Sequence, residues 1–330
     1  MKDLSIIICT YNPDLTILTR CLHAVANLKK DNINIECFLV DNNSPVAVST
    51  YDIVDSFLNQ CPWAQLVVEK EQGLTYARMA GFKKTTAPYI VFFDDDNEPE
   101  ENYLIETLSF IKRNPKVGAF GPGVIKVDFI DGAEDWLYKE KGYFQESSID
   151  KEQQALDTNS YHESYPFGTG MVLKREILES YHELFLNNKI ATTGRKGNNL
   201  SSSEDLQLVW LGLRMGYAAG KTPLLKMNHL IQKKKANRNY VKRFLYGGAV
   251  SYLPARLEIF PEEKPIAAKQ MMSPVKATLL CIKLYLFNFY KKDVDFLLAG
   301  QLGSIHGYCQ VFEKKPPSFT VRLTKWLKLI

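Results

Sequence analysis

Three short apolar runs limit what this chain can become: LSIIIC at residues 4–9, ECFLV at 36–40 and YIVFF at 89–93. Each is continuous rather than alternating, the pattern of a strand covered on both faces. Between them, residues 15–28 carry apolar side chains at near-helical spacing, 51–60 read as a second helix, 64–68 as a further strand and 75–84 as a third helix. Strand alternating with helix over the first hundred residues predicts a parallel, doubly wound α/β sheet. Ligands of such sheets bind beyond the carboxyl ends of the strands. The residues that follow each run are therefore where function is to be sought.

The third run ends in Asp94, Asp95 and Asp96. Three adjacent carboxylates repel one another, and a strand end does not need them. The cluster becomes favourable when a hard divalent cation sits among the oxygens, usually shared with phosphate groups. The first run is followed by Thr10, Tyr11 and Asn12, and the second by Asp41, Asn42 and Asn43. A tyrosine at that edge can stack on a base, and Asp41 can accept from a base N–H or a sugar hydroxyl. Singly, each segment is also ordinary turn chemistry. Gly73 can give a tight turn into the next helix, and Arg78, one turn in, is placed to reach a phosphate or base. No GxGxxG and no P-loop lysine occurs, which disfavours a dinucleotide cofactor or an ATPase.

Residues 103–113 read as a helix, 117–127 as a strand and 128–165 as an irregular excursion. Gly168, Thr169 and Gly170 lead into another strand. Residues 186–203 read as a flexible loop, after which Ser203, Glu204 and Asp205 open a helix through Met215, with Ser203 as N-cap. Six cysteines without a CxxC pair favour buried free thiols and a reducing compartment. With no cleavable signal pattern at the start, the expected location is cytoplasmic. Charge is unevenly spread: residues 221–330 hold 20 Lys and Arg against 6 Asp and Glu, a net of +14, whereas residues 1–220 carry −10. The helical patterns at 240–258 and 274–290 are aromatic-rich and lysine-flanked. The second is too short and too charged to span a bilayer, but its pattern suits a peripheral position on an anionic membrane surface, on its inner face. Nucleic acid is not an expected partner, because the candidate site is acidic and the basic residues lie only in the tail.

Residues 5–12, Val40 to Ser44, 73–81 and 92–104, with FFDDDNEPEENYL containing the DxD block, resemble family 2 glycosyltransferases of the GT-A fold. The resemblance implies a GT-A type doubly wound mixed sheet with flanking helices in residues 1–240, and a basic helical extension in 241–330. It implies inverting transfer of a sugar from a nucleotide diphosphate donor, assisted by Mn²⁺ or Mg²⁺. The acceptor would be a saccharide or a lipid-linked molecule of cell-surface polysaccharide synthesis. By the same resemblance Asp94 meets the donor ribose side and is also a metal ligand, Asp96 ligates the metal, and Asp95 is the spacer between them. Thr10, Tyr11, Asn12 and Asp41 surround the nucleotide, with Tyr11 and Asp41 on the base, and Arg78 assists. Ser203-Glu204-Asp205 resembles the family's acidic ED motif, which makes Asp205 the general base, with Glu204 supporting it. His229 is a candidate third metal ligand or diphosphate contact, and Lys233, Lys234 and Lys235 a basic flap. Two alternatives stay open on sequence alone, a nucleotidyltransferase and a non-catalytic nucleotide-sugar-binding protein of the same fold.

Overall fold

The computed structural model describes residues 2–157, 161–191, 194 and 200–330. In chain order the elements of the first half are β1 (Leu4–Thr10), α1 (Leu15–Ala26), β2 (Ile35–Asp41), α2 (Asp52–Gln60), β3 (Ala64–Val68), α3 (Leu74–Phe82), β4 (Tyr89–Asp94), β5 (Asn97–Pro99), α4 (Tyr103–Arg113) and β6 (Val117–Phe129). There follow β7 (Ser147–Ser148), β8 (Gln153–Ala155), β9 (Val172–Lys174), α5 (Arg175–Leu186), α6 (Glu204–Arg214), β10 (Ala218–Ile231) and α7 (Arg238–Ile259). The chain ends in α8 (Lys264–Gln270), α9 (Pro274–Asn288), α10 (Val294–Val311) and α11 (Ser318–Trp326).

The described strands form one sheet in the order β3-β2-β1-β4-β9-β6-β10-β5, with β7 beside β6 and β8 beside β10. β3, β2, β1 and β4 are mutually parallel, as the alternating pattern predicts. β9 joins antiparallel to both β4 and β6, so the sheet is mixed. This is the GT-A type of architecture expected. β1 is buried along its whole length, which explains its continuous apolar sequence. One side of the sheet packs on α1, α2 and α4 through Leu18, Leu22, Val54, Phe57 and Phe110. The other side packs on α3, α5 and α6 through Ala77, Ile177, Leu208 and Trp210.

Topology places the site. The order reverses at β1, which has β2 on one side and β4 on the other, and the registers align Thr10 with Asp41 and Cys9 with Asp94. Three strand ends therefore open onto one crevice, the switch point of a doubly wound sheet. β10, a 14-residue strand, crosses behind it. Its pairing with β5 sets His229 opposite Asn97, and the Leu230 N–H donates to the Asp96 carbonyl at 2.8 Å.

The stretch 128–165 is not merely irregular. Short 3₁₀ turns at Asp135–Lys139 and Lys141–Phe144 pack Leu137 and Phe144 against α7, and β7 and β8 return to the sheet. The flexible loop expected at 186–203 includes residues 192, 193 and 195–199, which lie outside the described residues. Ser203 occupies the N-cap position of α6 but does not cap with its side chain: its hydroxyl pairs with that of Ser251 in α7, 2.7 Å away.

The division expected at residues 240 and 241 falls inside α7. The C-terminal part of α7 buries Ala255 and Ile259 in the sheet-side core, while α10 lies against its middle. A side chain at Gly303 of α10 would stand 2.4 Å from the Tyr246 carbonyl, so glycine there is what lets the two helices touch. All six cysteines are free and buried, as expected. No helix among the described residues is long and apolar enough to cross a membrane.

Candidate active site

A cavity of about 640 Å³ opens at the carboxyl ends of β1, β2 and β4. Asp94, Asp95 and Asp96 line it, as do Thr10, Tyr11, Asn12, Arg78, Glu204, Asp205 and His229. The structure thus brings together the residues assigned from sequence to the nucleotide, the metal and the base, except Asp41; of the expected basic flap, Lys234 and Lys235 line the cavity and Lys233 does not.

Asp41 is the correction. It is buried, and both carboxylate oxygens accept backbone N–H bonds from the loop that follows, Oδ1 from Ser44 at 3.0 Å and Oδ2 from Val48 at 3.1 Å. The acid closes its own turn instead of facing a ligand. Asn42 reaches the cavity instead, and its Oδ1 accepts from the Gly73 N–H at 2.8 Å. Gly73 has φ of 142°, a conformation L side chains rarely adopt, and it starts α3 so that Arg78 points into the cavity.

Arg78 also differs from expectation. It is 2% exposed and lies under the site, not at its mouth. One nitrogen pairs with Asp205 Oδ1 and another is 3.9 Å from Asp94 Oδ1, with the guanidinium over the Phe92 ring. Burial opposes its charge, but Asp205, Asp94 and Glu204 outweigh that and keep it protonated. A single cation therefore ties the end of β4 to the start of α6, two segments more than a hundred residues apart.

Asp205 sits with Oδ1 on Arg78, and no other hydrogen bond to it is formed among the described residues. Its Oδ2 lies directly over Gly168, where a Cβ would stand 2.0 Å from that oxygen. This gives the small-residue segment a physical reason: residue 168 must lack a side chain for Asp205 to occupy its place. Gly168→Ala is expected to push the carboxylate aside by about 1 Å and lower turnover by about 10²-fold. The protein should stay folded, read by comparing kcat with the circular dichroism melt.

In the same cavity, Asp96 is buried and receives Lys235 Nζ at 2.9 Å on Oδ2 and Asn97 Nδ2 at 3.0 Å on Oδ1. His229 Nε2 is 3.5 Å from the same Oδ1. The other ring nitrogen, Nδ1, donates to the Phe144 carbonyl at 2.8 Å, because a carbonyl only accepts. That leaves Nε2 and the Asp96 oxygen side by side, and an imidazole nitrogen with a carboxylate oxygen is a donor pair that suits a divalent cation. Burial works against ionisation of Asp96, yet Lys235 and His229 hold its carboxyl well below the usual range. Asp95 moves the other way: burial, then the charge of Asp96, raise it, while Thr10 Oγ1 donates to it at 2.6 Å. Among the described residues, no three of His, Cys, Asp and Glu cluster tightly enough to hold a metal unaided. Cys9, at the cavity floor, is no nucleophile, because burial pushes its thiol up to about 12.

Several participants escaped the sequence reading. Phe144 orients His229 through a main-chain carbonyl, which no side-chain motif reveals. Arg243 and Phe244 of α7 line the cavity. Arg238, at the start of α7, is instead bonded to Asp295 of α10 at 2.9 Å, with its guanidinium 4.4 Å from the Phe296 ring. Outside the cavity, Arg20 of α1 ties β5 to β6 with bonds to Glu98 at 2.7 Å and Asp128 at 2.8 Å.

The sequence pattern described as Glycosyl transferase family 2 matches residues 5–181, more than half of the chain. The protein belongs to that family. This glycosyltransferase is 34% identical over 115 residues to polypeptide N-acetylgalactosaminyltransferase 11 of Xenopus tropicalis, a stretch covering 34% of this chain and 19% of the relative. It is 28% identical over 167 residues to N-acetylgalactosaminyltransferase 4 of Drosophila melanogaster, covering 46% and 26%. The matched stretch is thus about a fifth to a quarter of these relatives' own length. Among solved structures, S. aureus TarS residues 1–349, also determined in complex with UDP, aligns at a TM-score of 0.47 and 16% identity, covering 95% of this chain and 90% of that one. Membership in this family leaves the nucleotidyltransferase alternative without support.

Proposed function

We propose that this glycosyltransferase moves a sugar, with inversion, from a UDP-linked donor to a saccharide or lipid-linked acceptor of cell-surface polysaccharide synthesis. In this reading it works at a membrane surface and needs Mn²⁺ or Mg²⁺. The observation that carries the proposal is that one cavity is lined both by Asp205, paired with Arg78, and by the Asp96–His229 pair. Inversion is a single in-line displacement, so the group accepting the proton and the groups receiving the leaving diphosphate must face each other across the sugar. Asp205 Oδ2 is the oxygen left for an acceptor hydroxyl, since Arg78 occupies Oδ1. As the acceptor oxygen bonds to the anomeric carbon, its proton passes to Asp205 and the bond to the diphosphate breaks on the far side.

Asp96, His229 and Asp94 are the residues that would hold the divalent cation. When bound, it neutralises charge growing on the leaving phosphate. Lys234, Lys235 and Arg243 supply further positive charge in the cavity. Tyr11, 43% exposed at the cavity edge, and Asn42 are available to the base and ribose. Glu204, buried behind Asp205, adds to the field that keeps Arg78 charged.

A thermal-shift panel of UDP-N-acetylglucosamine, UDP-N-acetylgalactosamine, UDP-glucose and GDP-mannose, each with Mn²⁺ or with EDTA, tests this. Saturation at a hundredfold over Kd stabilises by about 2.7 kcal/mol. One uridine-linked donor is expected to raise Tm with Mn²⁺ only. An equal rise in EDTA would contradict the metal, and a response confined to GDP-mannose would contradict the base.

A further inference from the structure

Helix α9 is apolar and largely exposed. Of its 15 residues only Ala277 and Cys281 are fully buried. Leu279, Leu286 and Phe287 face outward, and Phe289 and Tyr290 continue the same surface past its end. Phe287 is 66% exposed and Tyr290 71%. Between α9 and α11 lies an apolar groove of about 300 Å³, lined by Ile282, Tyr285, Phe319 and Trp326, the last 69% exposed.

The charges on α9 and α11 themselves have one sign, with the exposed Asp293 following Lys291 and Lys292. Lys276 and Lys283 fall in the same helical stripe as Leu279, Leu286 and Phe287, at spacings of three and four. Lys291 and Lys292 follow α9, and Arg322 and Lys325 project from α11. All six are exposed, and none is in an ion pair among the described residues. Neither α9 nor α11 contains an aspartate or glutamate.

We infer that the face formed by α9 and α11 docks on an anionic phospholipid bilayer, with the aromatic side chains at headgroup depth and the lysines on lipid phosphates. Bare apolar side chains mixed with unpaired cations are the complement of such a surface. A second copy of the chain is the poorer occupant. A two-fold contact would set this face against itself, and the cations on α9 and α11 of one copy would meet those of the other with no carboxylate on either helix between them. α9, at 15 residues with two lysines, is too short and too charged to cross a bilayer.

The docked face is joined to the site. α10, packed on α9, lies against α7, whose Arg243 and Phe244 line the active cavity. The inference extends the acceptor reading above, and its test contains no transfer step, so either can fail alone.

The test is flotation of the full chain with vesicles of phosphatidylcholine, or of phosphatidylcholine and phosphatidylglycerol in equal parts, combined with light scattering of the protein alone. Binding should be at least about tenfold stronger to the anionic vesicles and weaken with salt. The pair Lys276→Glu and Lys283→Glu should remove that preference, and the pair Phe287→Ser and Tyr290→Ser should weaken binding to both vesicles. All four side chains are exposed, so Tm should hold. Equal or absent flotation with the two vesicles would overturn the inference, as would binding that neither pair alters. A dimer abolished by Phe287→Ser and Tyr290→Ser, without anionic preference, would assign the face to self-association.

Discussion

Asp205→Asn is expected to lower kcat by about 10³-fold, within the range for loss of a general base, while UDP still binds in the presence of Mn²⁺. The substitution keeps the shape of the side chain and removes the oxygen's capacity to take a proton. It also removes one of the carboxylates around Arg78. Breaking a fully buried ion pair costs roughly 3–5 kcal/mol, but Asp94 and Glu204 remain near the guanidinium and Asp205 is itself partly exposed. The loss of stability should therefore be smaller, and the variant should fold. Single-turnover kinetics beside a thermal melt separate the two effects. Turnover near the wild-type rate would move the base elsewhere.

The second large effect is expected at Asp96. Asp96→Asn keeps a hydrogen-bonding side chain beside Lys235 and His229 but removes the charge on which both converge. With Mn²⁺ present, UDP affinity should fall at least about tenfold, or 1.4 kcal/mol. Without metal, wild type and variant should bind UDP alike. The pattern expected at Asp205 is the reverse, with binding kept and chemistry lost. An Asp96→Asn variant that binds UDP as tightly as wild type in Mn²⁺ would show that this carboxylate takes no part in holding the cation.

How much of this was legible in the sequence differs from element to element. β1, β2 and β4 were readable because strands covered on both faces must be apolar throughout. β10 was not, since Gly220, Lys221 and Pro223 interrupt its pattern and its pairing with β6 shifts register between Thr222 and Lys226. α10 hid for a related reason: its Gly300, Gly303 and Gly307 argue against a helix by propensity, but close packing on α7 overrides that. In the site, the aspartate cluster stood out because carboxylates gathered at a strand end have no folding purpose. The direction of a single acid was not readable. Asp41 turns back to its own loop and Asp205 turns toward Arg78, and only the fold separates the two. The Lys235–Asp96 pair joins residues 139 positions apart, a separation that local pattern does not span.

A calorimetric titration of UDP into wild type, Asp205→Asn and Asp96→Asn, each with Mn²⁺ and with EDTA, tests this division of roles most directly. Wild type and Asp205→Asn should share one Mn²⁺-dependent Kd, while Asp96→Asn should bind at least about tenfold more weakly and no longer respond to the metal. Metal-dependent binding that survives in Asp96→Asn and disappears in Asp205→Asn would put the diphosphate at Asp205 instead.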